Sequence, residues 1–460
     1  MRNSQTLGRI AFAVLAVLAA LSGQNASATA TADEAARLKS TLTPFGAEKA
    51  GNKEGTIPEW TGGLTTVAPD FKNGGRRPDP FAGEKPLYSV TAQNVEQYGD
   101  KVSEGVKAML RKYPKTFRVD VYPTHRTAAA PQWVYDNTFK NATNAKIVEG
   151  TAGPRPEGAY GGIPFPIAKN GVEVMWNHVL RWRPPVIRRQ FNGYMMTAEG
   201  NWLKVLETFN EEEDPYYFKG GSIETAKNDY GLIRTVNSGP PIRAGEAIVA
   251  HTNIDEDKSQ SWIYLTGQRR VRMLPNPCCD TPTSFTAGVV SFDELETFSG
   301  RMDRFDWKLV GKREMFIPYN SNRTMQPLKD SDVLMPGHLN PDHVRWELHR
   351  VWVVEATLKP GQRHPAAKSR YFVDEDSWIA VLGERYDAKG QLWRVPFGLP
   401  TVLPDLPGLI ELNWGVYDLI GGTSYVGVMM NEQKDQGRLM AQPWPESNFL
   451  PAALTGDSLR

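Results

Sequence analysis

From residue 170 onward the sequence is a succession of short β-type runs separated by tight turns. The run 171–183 alternates with a period of two and predicts a strand with Trp176 and Trp182 on one face. Further strands are predicted on both sides of the Glu199-Gly200 turn and over 247–253, 261–265, 269–274, 350–358, 370–373, 378–386, 391–397 and 424–430. Consecutive strands joined by short turns predict a mainly β (α+β) fold built as an antiparallel meander, and argue against a parallel α/β enzyme fold.

Several of these predicted strands carry large apolar side chains on both faces. In the run 350–358, Trp352 and Val354 oppose Val351 and Val353. A sheet of this kind must be covered on both faces or must curl around apolar contents. Two interpretations remain open: a packed core with helices against it, or a half-open barrel whose interior binds a greasy ligand.

Two helices are predicted as covers for this sheet. The run 91–112 contains no proline, repeats apolar residues at helical spacing and is followed by Pro114. It is interpreted either as a mobile lid over a barrel mouth or as a helix fixed on a closed core. The run 292–305 is the second helical candidate.

The first thirty residues are typical of a secretory signal. Arg2 and Arg9 precede the apolar run 10–21, and small residues offer cleavage sites near Ala28-Ala30. The run is shorter than the roughly 20 residues of a spanning helix, although a retained N-terminal anchor is the alternative. The predicted organisation is a signal peptide over 1–28, an irregular N-terminal arm with one amphipathic helix over 29–125, and an open-barrel domain over 126–460. In a bacterium with two membranes, the mature chain is expected in the periplasm.

The charge balance excludes nucleic acid as a partner. The chain has 53 Lys and Arg residues against 52 Asp and Glu residues, and removal of Arg2 and Arg9 leaves 51 basic residues. A nucleic-acid-binding protein would carry a basic excess or stripe. No phosphate-binding P-loop and no G-x-G-x-x-G sequence is present. We therefore expect no nucleotide cofactor and no nucleic-acid partner.

Catalytic signatures are also missing. His338, His343 and His349 lie close in sequence with Asp342 among them, but their spacing matches no zinc motif. No G-x-S-x-G nucleophile sequence occurs. We predict no catalytic residue, no metal site and no cofactor, and hence a protein that is not an enzyme. The competing interpretation is a periplasmic glycan-binding or glycan-processing protein, because tryptophan-rich sheets can stack on sugars.

The two cysteines are adjacent, at Cys278 and Cys279. Neighbouring cysteines cannot join distant parts of a fold, so they do not form a disulfide scaffold. They are interpreted either as a vicinal disulfide ring or as two thiols, and the absence of a C-x-x-C sequence argues against a catalytic dithiol.

Several sequence blocks resemble a family of exported proteobacterial proteins filed as domain of unknown function 1329. The blocks occur in order at 42–52, 55–63, 122–126, 161–166, 176–178, 305–312 and 317–322, and the resemblance covers essentially the whole mature chain. The runs 262–265 with 269–272, and 371–374 continuing to 386–390, are similar to outer-membrane lipoprotein-sorting proteins of the LolA/LolB type. This resemblance implies a half-open antiparallel barrel with covering helices, and genes of the family are thought to accompany resistance-nodulation-division type exporters.

The combined prediction is a periplasmic carrier or chaperone of hydrophobic molecules such as lipids, sterols or lipoprotein acyl chains. Its expected partners are a hydrophobic ligand, an inner-membrane exporter and an outer-membrane protein, with transient membrane contact. The candidate ligand-binding residues are the large aromatic residues of the predicted meander: Trp176, Trp182, Trp202, Phe209, Trp262, Tyr264, Trp352, Trp378 and Trp393. Which of them face inward depends on strand register, because a shift of one residue reverses the whole set.

Overall fold

The computed structural model describes residues 29–275 and 278–456. The predicted signal peptide, residues 1–28, lies outside the described residues. The regular structure is dominated by one sheet of 16 strands, with two additional two-stranded sheets. The mainly β fold class is therefore confirmed.

The strands are listed here in chain order. They are β1 (Tyr88–Val90), β2 (Val119–Val121), β3 (Lys146–Gly150), β4 (Gly153–Glu157), β5 (Val186–Met196), β6 (Trp202–Glu213), β7 (Asp229–Gly239), β8 (Ala247–Asn253), β9 (Gln260–Leu265), β10 (Arg270–Met273), β11 (Phe305–Pro318), β12 (Leu334–Met335), β13 (His338–Leu339), β14 (Trp346–Leu358), β15 (Lys368–Asp374), β16 (Ala380–Tyr386), β17 (Leu392–Leu403), β18 (Gly408–Asp418), β19 (Ser424–Met429) and β20 (Arg438–Leu439).

The α-helices are short. They are α1 (Ala32–Ala36), α2 (Glu104–Lys112), α3 (Gln132–Asn144), α4 (Gly171–Val179), α5 (Asp330–Val333) and α6 (Ala453–Gly456).

The large sheet is an open antiparallel meander. Its order is β1-β2-β14-β15-β16-β17-β18-β19-β5-β6-β7-β8-β9-β10, with β11 paired to β14 and β20 paired to β5. Its one parallel contact joins β2 to β14, at Val121 and Trp346. In the described part of the chain this order does not return on itself, so the sheet is not closed into a barrel. The predicted antiparallel meander is confirmed, whereas its curling into a half-open barrel stays a prediction.

The strand predicted over 171–183 is wrong, because this region forms helix α4. Asn170 caps the helix: its side chain accepts a hydrogen bond from the backbone N–H of Glu173 at 3.0 Å. The Glu173 carboxylate in turn accepts from the backbone N–H of Lys169 at 2.6 Å. All helix residues except Val172 are buried. Because apolar side chains occur all around the helix, the sequence shows no helical stripe and mimics a strand.

The predicted helix over 91–112 is shorter than expected. A 3₁₀-helix covers Val95–Lys101 and is followed by Val102 in extended conformation, before α2 begins. The Ser103 hydroxyl accepts a hydrogen bond from the N–H of Val106 at 3.1 Å, which starts α2 afresh. The helix nevertheless ends at Lys112, near the predicted position.

The helix predicted over 292–305 is also wrong. Only the 3₁₀ turn Phe292–Glu294 forms, stabilised by a capping box with Ser291. Glu296 and Thr297 then adopt positive φ angles of 50° and 70°, which end any helical continuation. The chain continues irregularly until β11.

The sheet has two unlike halves. We call β11 and β14–β17 the β14 half, and β18, β19 and β5–β10 the β6 half. One face of the β14 half packs against the segment 88–121, including Val102, Val106 and Met109. Its other face packs against α3, α4 and the N-terminal arm, with Trp176 and Trp378 in that layer. The expected covering of both faces is thus confirmed for the β14 half.

The β6 half is covered differently. Its outer face on β7–β10 packs against the C-terminal segment 444–454, where Phe449 and Leu454 contact the side-chain cluster around Val249 and Tyr264. Its inner face lies under Leu274 and residues 278–300, and this described stretch contains no α-helix. This difference in cover positions the candidate site.

Candidate functional site

A cavity of about 280 Å³ lies between the inner face of the β6 half on one side and Leu274 with residues 278–300 on the other. We call it the inner cavity. Its volume is near the lower end of the roughly 300–1,000 Å³ that is usual for small-molecule sites. Trp414 of β18 and Tyr425 and Val428 of β19 line it where the two halves of the sheet meet.

Alternate residues of neighbouring strands build the floor of the inner cavity. Strand β6 contributes Leu206, Thr208, Asn210 and Glu212, because every second side chain points to the same face. The strand register continues this pattern across the sheet: Thr208 lies opposite Asn237, Asn210 opposite Thr235, and Glu212 opposite Ile233. The floor therefore alternates apolar side chains with small polar ones.

The roof is the irregular segment 278–300, which we call the cover segment. It turns Phe285, Phe292, Leu295 and Phe298 toward the inner cavity. Asp293 attaches it to the β14 half: its carboxylate lies 3.1 Å from Nη1 of Arg385, and its backbone carbonyl accepts from Nη2 of the same arginine at 2.7 Å. Burial opposes ionisation of Asp293, but Arg385 and His364 prevail and hold the pKa of its carboxyl well below the ordinary value. The ion pair between Asp293 and Arg385 thus anchors the cover segment to the β14 half.

One end of the inner cavity is charged, and we call it the charged end. Arg181, Arg183 and Arg189 line it together with Glu212 and Glu296. Nη2 of Arg181 lies 2.5 Å from a carboxylate oxygen of Glu296. Nη2 of Arg189 lies 2.5 Å from a carboxylate oxygen of Glu212.

Two carboxyl groups that lie behind the charged end have raised pKa values. Burial raises the pKa of Glu411 to about 8, even though Nη2 of Arg181 lies 3.1 Å away. Burial likewise raises the pKa of Asp214 well above its ordinary value. Glu296 behaves in the opposite way: burial works against its ionisation, but Arg183 and Arg181 lower its pKa to about 2. At neutral pH, Glu296 is therefore ionised while Glu411 is mostly protonated.

A third acid lies beside the charged end. Burial raises the pKa of Glu256 to about 7. Its two carboxyl oxygens accept hydrogen bonds from the Tyr230 hydroxyl at 3.1 Å and from the Ser259 hydroxyl at 3.2 Å. Glu256, Tyr230 and Ser259 all line the inner cavity, so a titrating group faces its interior near neutral pH.

The opposite end of the inner cavity is apolar, and we call it the apolar end. Leu206, Trp414, Tyr425 and Val428 line it. Three of these side chains belong to one core cluster of β18, β19 and the cover segment: Trp414, Tyr425 and Val428. The charged and apolar ends are joined by the uncharged residues of the floor.

Both cysteines line the inner cavity, where the cover segment begins. They are present as free thiols. A hydrogen bond from Cys279 lowers the pKa of the Cys278 thiol to about 7, whereas the same contact and burial raise the pKa of the Cys279 thiol. The predicted vicinal disulfide stays a prediction.

None of the nine aromatic residues predicted to bind a ligand lines the inner cavity. Three of them are buried and donate their indole N–H to a backbone carbonyl: Trp176 to Pro154, Trp182 to Pro407 and Trp378 to Phe45, at 2.8 to 2.9 Å. Trp202 donates in the same way to Met335 at 2.7 Å. These four indoles fix loops to helices and strands.

The other five predicted residues are dispersed. Phe209 is 40% exposed on the outer face of β6. Trp262 and Tyr264 pack under the C-terminal segment. Trp352 stacks on Trp378 with ring centres 6.1 Å apart, and the indole N–H of Trp393 donates to Asp418 at 2.9 Å. The structure does not bring the nine residues together, and their role in ligand binding stays a prediction.

Two of the three histidines considered as metal ligands, His338 and His349, have separate partners. His338 contacts the Leu339 carbonyl and the Thr116 hydroxyl, at 2.6 and 2.9 Å. His349 instead pairs with Glu347 at 3.0 Å.

His349 also belongs to the one group of potential metal ligands in residues 29–275 and 278–456, with Asp374 and Asp376. Arg126 already occupies both carboxylate oxygens of Asp376, at 2.7 and 2.8 Å. Nη2 of Arg126 also donates to the backbone carbonyl of Glu48 at 2.7 Å. This buried network thus anchors the N-terminal arm to the sheet.

Sequence reasoning missed the residues that line the inner cavity because it searched for large aromatic side chains. Strand β7 was not predicted, since Gly231, Thr235 and Asn237 resemble loop residues. A usable signal was nevertheless present: Leu232, Arg234 and Val236 alternate with Ile233, Thr235 and Asn237.

No helix within the described ranges combines the length and the apolarity that a membrane crossing requires. Among solved structures, the chain is similar to an outer membrane lipoprotein-sorting protein domain from Vibrio parahaemolyticus (12% identity, 62% of this chain and 98% of that chain, TM-score 0.42). It is similar to a DUF1329 family protein from Desulfovibrio piger (15% identity, 59% and 92%, TM-score 0.40). It is also similar to a LolA superfamily protein from Nitrosomonas europaea (11% identity, 62% and 98%, TM-score 0.35). At these TM-scores the similarities carry no argument about function.

Sequence comparisons are more specific. An uncharacterized protein of Pseudomonas aeruginosa is 38% identical over 449 residues, which cover 94% of this chain and 95% of that protein. A family model described as a protein of unknown function, DUF1329, matches residues 89–455. The resemblance drawn from the sequence blocks is therefore confirmed, and the chain belongs to the DUF1329 family.

Proposed function

We propose that this protein is a periplasmic carrier or chaperone of hydrophobic molecules, and that the cargo binds in the inner cavity. The observation that supports the proposal is the cavity of about 280 Å³ enclosed between the β6 half and the cover segment. Its walls include the aromatic and aliphatic side chains Phe191, Ile233, Phe285, Leu295 and Trp414. A space of this kind removes apolar groups from water.

The driving force is the hydrophobic effect. Each CH₂ group moved from water into an apolar site contributes about 0.8 kcal/mol. A carrier must therefore enclose its cargo, but it needs no group that makes or breaks bonds. We accordingly propose a non-enzymatic role, in which the exported chain transfers lipid, sterol or acyl-chain cargo from an inner-membrane exporter to an outer-membrane protein, with transient membrane contact.

The glycan-binding alternative receives no support from the described residues. Sugar stacking needs aromatic faces presented together at a surface. Trp176, Trp182 and Trp378 are buried, with exposures of 4% or less, and their N–H groups already have partners.

The proposal is tested by cargo recovery and by blocking the inner cavity. Protein purified from the periplasm of an expressing bacterium is extracted with organic solvent and analysed by mass spectrometry. We expect an apolar molecule in the extract and saturable binding of a fluorescent fatty acid. Ala250→Trp places an indole in the inner cavity, since Ala250 lines it, and is expected to abolish both signals.

Phe209→Trp is the matched control, because Phe209 lies on the outer face of β6 and is 40% exposed. It should fold and bind as the unmodified protein does. If no apolar molecule is recovered and no fluorescent fatty acid binds, the carrier function is rejected. Binding that survives in a folded Ala250→Trp variant would place the cargo elsewhere.

A further inference from the structure

The inner cavity is apolar at one end and charged at the other, and this limits the class of ligand that it can bind. Along β6 the floor begins with Leu206, passes Thr208 and Asn210, and ends with Glu212. At about 3.3 Å per residue, these four side chains span about 20 Å. Leu206 lies at the apolar end with Trp414 and Tyr425, and the arginines lie toward Glu212. A ligand that fills this length meets two different environments.

The charged end presents more than ion pairs. Arg189 uses Nε for Asn210 at 2.8 Å and Nη2 for Glu212 at 2.5 Å. Arg183 uses Nη2 for the Val179 carbonyl at 3.2 Å. Within residues 29–275 and 278–456, Nη1 of Arg189 and Nη1 of Arg183 make no hydrogen bond to protein. Two guanidinium groups that line the inner cavity therefore retain donors for a ligand.

The charge balance at this end also favours an anion. Three arginines, at 181, 183 and 189, face the carboxylates of Glu212 and Glu296. Burial raises the pKa of the remaining nearby acids, to about 8 for Glu411, to about 7 for Glu256 and above the ordinary value for Asp214, which disfavours their charged forms. The negative charge set against the three guanidinium groups is thus reduced. A carboxylate or phosphate group entering the inner cavity would offset the positive charge of the arginines and accept hydrogen bonds from their remaining N–H groups.

We propose, on the basis of the carrier function above, that the cargo is an anionic amphiphile whose carboxylate or phosphate head group binds at Arg183 and Arg189 and whose apolar tail lies toward Leu206 and Trp414. Arg181 contributes positive charge from behind, through its contacts with Glu296 and Glu411. A neutral sterol or alcohol would leave the guanidinium donors unpaired, and a cationic amphiphile would be repelled.

The test compares probes that share a sixteen-carbon chain and differ in head group: palmitate, hexadecyl phosphate, hexadecanol and hexadecyltrimethylammonium. Each is titrated against the full-length mature protein by displacement of an apolar fluorescent dye. We expect at least one of the two anions to bind about tenfold or more tightly than the alcohol, as one charge-assisted hydrogen bond can provide. The stronger of palmitate and hexadecyl phosphate identifies the head group.

Variants of neighbouring residues sharpen this test. Arg189→Gln should reduce the preference for the anion to near onefold while the alcohol still binds. Arg188→Gln is the matched control, since its side chain is 41% exposed and pairs with Asp435 instead. Arg189→Lys keeps the charge, and it should retain part of the preference even if Arg189→Gln does not fold.

The outcomes separate the two proposals. Equal binding of acid, phosphate and alcohol overturns the head-group inference and leaves the carrier function intact. Preference for the cationic probe overturns it as well. If none of the four probes binds, the carrier function itself fails.

Discussion

Both halves of the sheet are built from antiparallel strands, but the β14 half is a packed core and the β6 half encloses a cavity. In the β14 half, the space left under α2 is about 30 Å³, lined by residues such as Val106, Leu382 and Phe397. In the β6 half, the inner cavity measures about 280 Å³. The first volume is that of about one or two water molecules, whereas the second is near that of a small-molecule site.

The difference arises from what covers the strands. The β14 half lies between helices and carries apolar residues on both faces, as Val353 and Val354 show. The β6 half is roofed by an irregular segment, and its floor carries Thr208, Asn210 and Asn237. An irregular cover over a partly polar floor cannot interdigitate as densely as helices over a valine-rich strand. A sheet half therefore becomes core or cavity through its cover and not through its strand pairing.

The largest expected effect is a loss of stability caused by a substitution in the packed β14 half. Val102 is 4% exposed in the core cluster of the β14 half, and Val102→Asp buries a carboxylate there. We expect the free energy of unfolding to fall by several kcal/mol, measured by denaturant titration. The control is Gln97→Asp on the exposed side of the same segment, which should change little. A Val102→Asp protein that keeps its stability but releases ligand would instead identify this segment as a lid.

A smaller effect is expected from the same kind of substitution in the other half. Ile233 lines the inner cavity opposite Ala250, so Ile233→Asp places its carboxylate in a space that water can enter. We expect a loss of about 1–2 kcal/mol in the same titration, together with loss of apolar ligand. Ser238→Asp, exposed on the same strand, is the control. An Ile233→Asp loss as large as that of Val102→Asp would show that the β6 half is packed in solution.

The third prediction concerns pH. Burial raises the pKa of Glu256 from 4.5 to about 7, so the folded chain binds more protons than the unfolded chain between these values. The stability contribution of this group is therefore full below about pH 4.5 and is lost as pH rises through 7. Glu256→Gln removes the titration, and its stability should fall less between pH 5 and 8, by about 1 kcal/mol. The exposed residue Glu224 provides the control variant Glu224→Gln, and parallel pH profiles of Glu256→Gln and the unmodified protein would refute the assignment.

The smallest effect is expected at the cysteines. Closing Cys278 and Cys279 into a ring constrains almost no chain, so oxidation should change stability by less than about 0.5 kcal/mol. The ring is detected by mass spectrometry, as loss of two hydrogens and of both alkylation sites. Because both residues line the inner cavity, ligand affinity is measured in each redox state. A change in the free energy of unfolding without any change in ligand affinity would show that the disulfide ring does not influence ligand binding in the inner cavity.

For much of the sheet, the local sequence pattern was sufficient to predict the strands and their turns. Strand β8 has the predicted bounds, Ala247–Asn253. The hairpin of β16 and β17 turns at Asp387–Gly390 as the turn residues indicate, with the Asp387 carboxylate accepting from the N–H of Lys389 at 2.9 Å. In both cases the determinants lie within a few residues, so sequence alone contains them.

The candidate site was not predictable in the same way, because it depends on contacts distant in sequence. Trp176 was placed on a strand, although the Asn170 and Glu173 cap signalled a helix start. Trp262 was expected to line a ligand site, but the C-terminal segment covers its face. Which face of a strand is covered, and by what, is decided by residues almost 200 positions away, and no local pattern records it.

The pairing of β5 with β19 has a consequence for the order in which the chain can fold. Tyr194 lies opposite Val426, so strands β5–β10 join the preceding part of the sheet order through β19, one of the last strands of the chain. Contacts of such long sequence separation form slowly, because loop closure precedes any gain from pairing. During delivery from the N-terminus, the edge of β5 must wait unpaired until more than 200 further residues have arrived. A polypeptide of this topology needs protection from premature association along its path, and losing even its final strands would leave β5–β10 with no neighbour to complete the sheet.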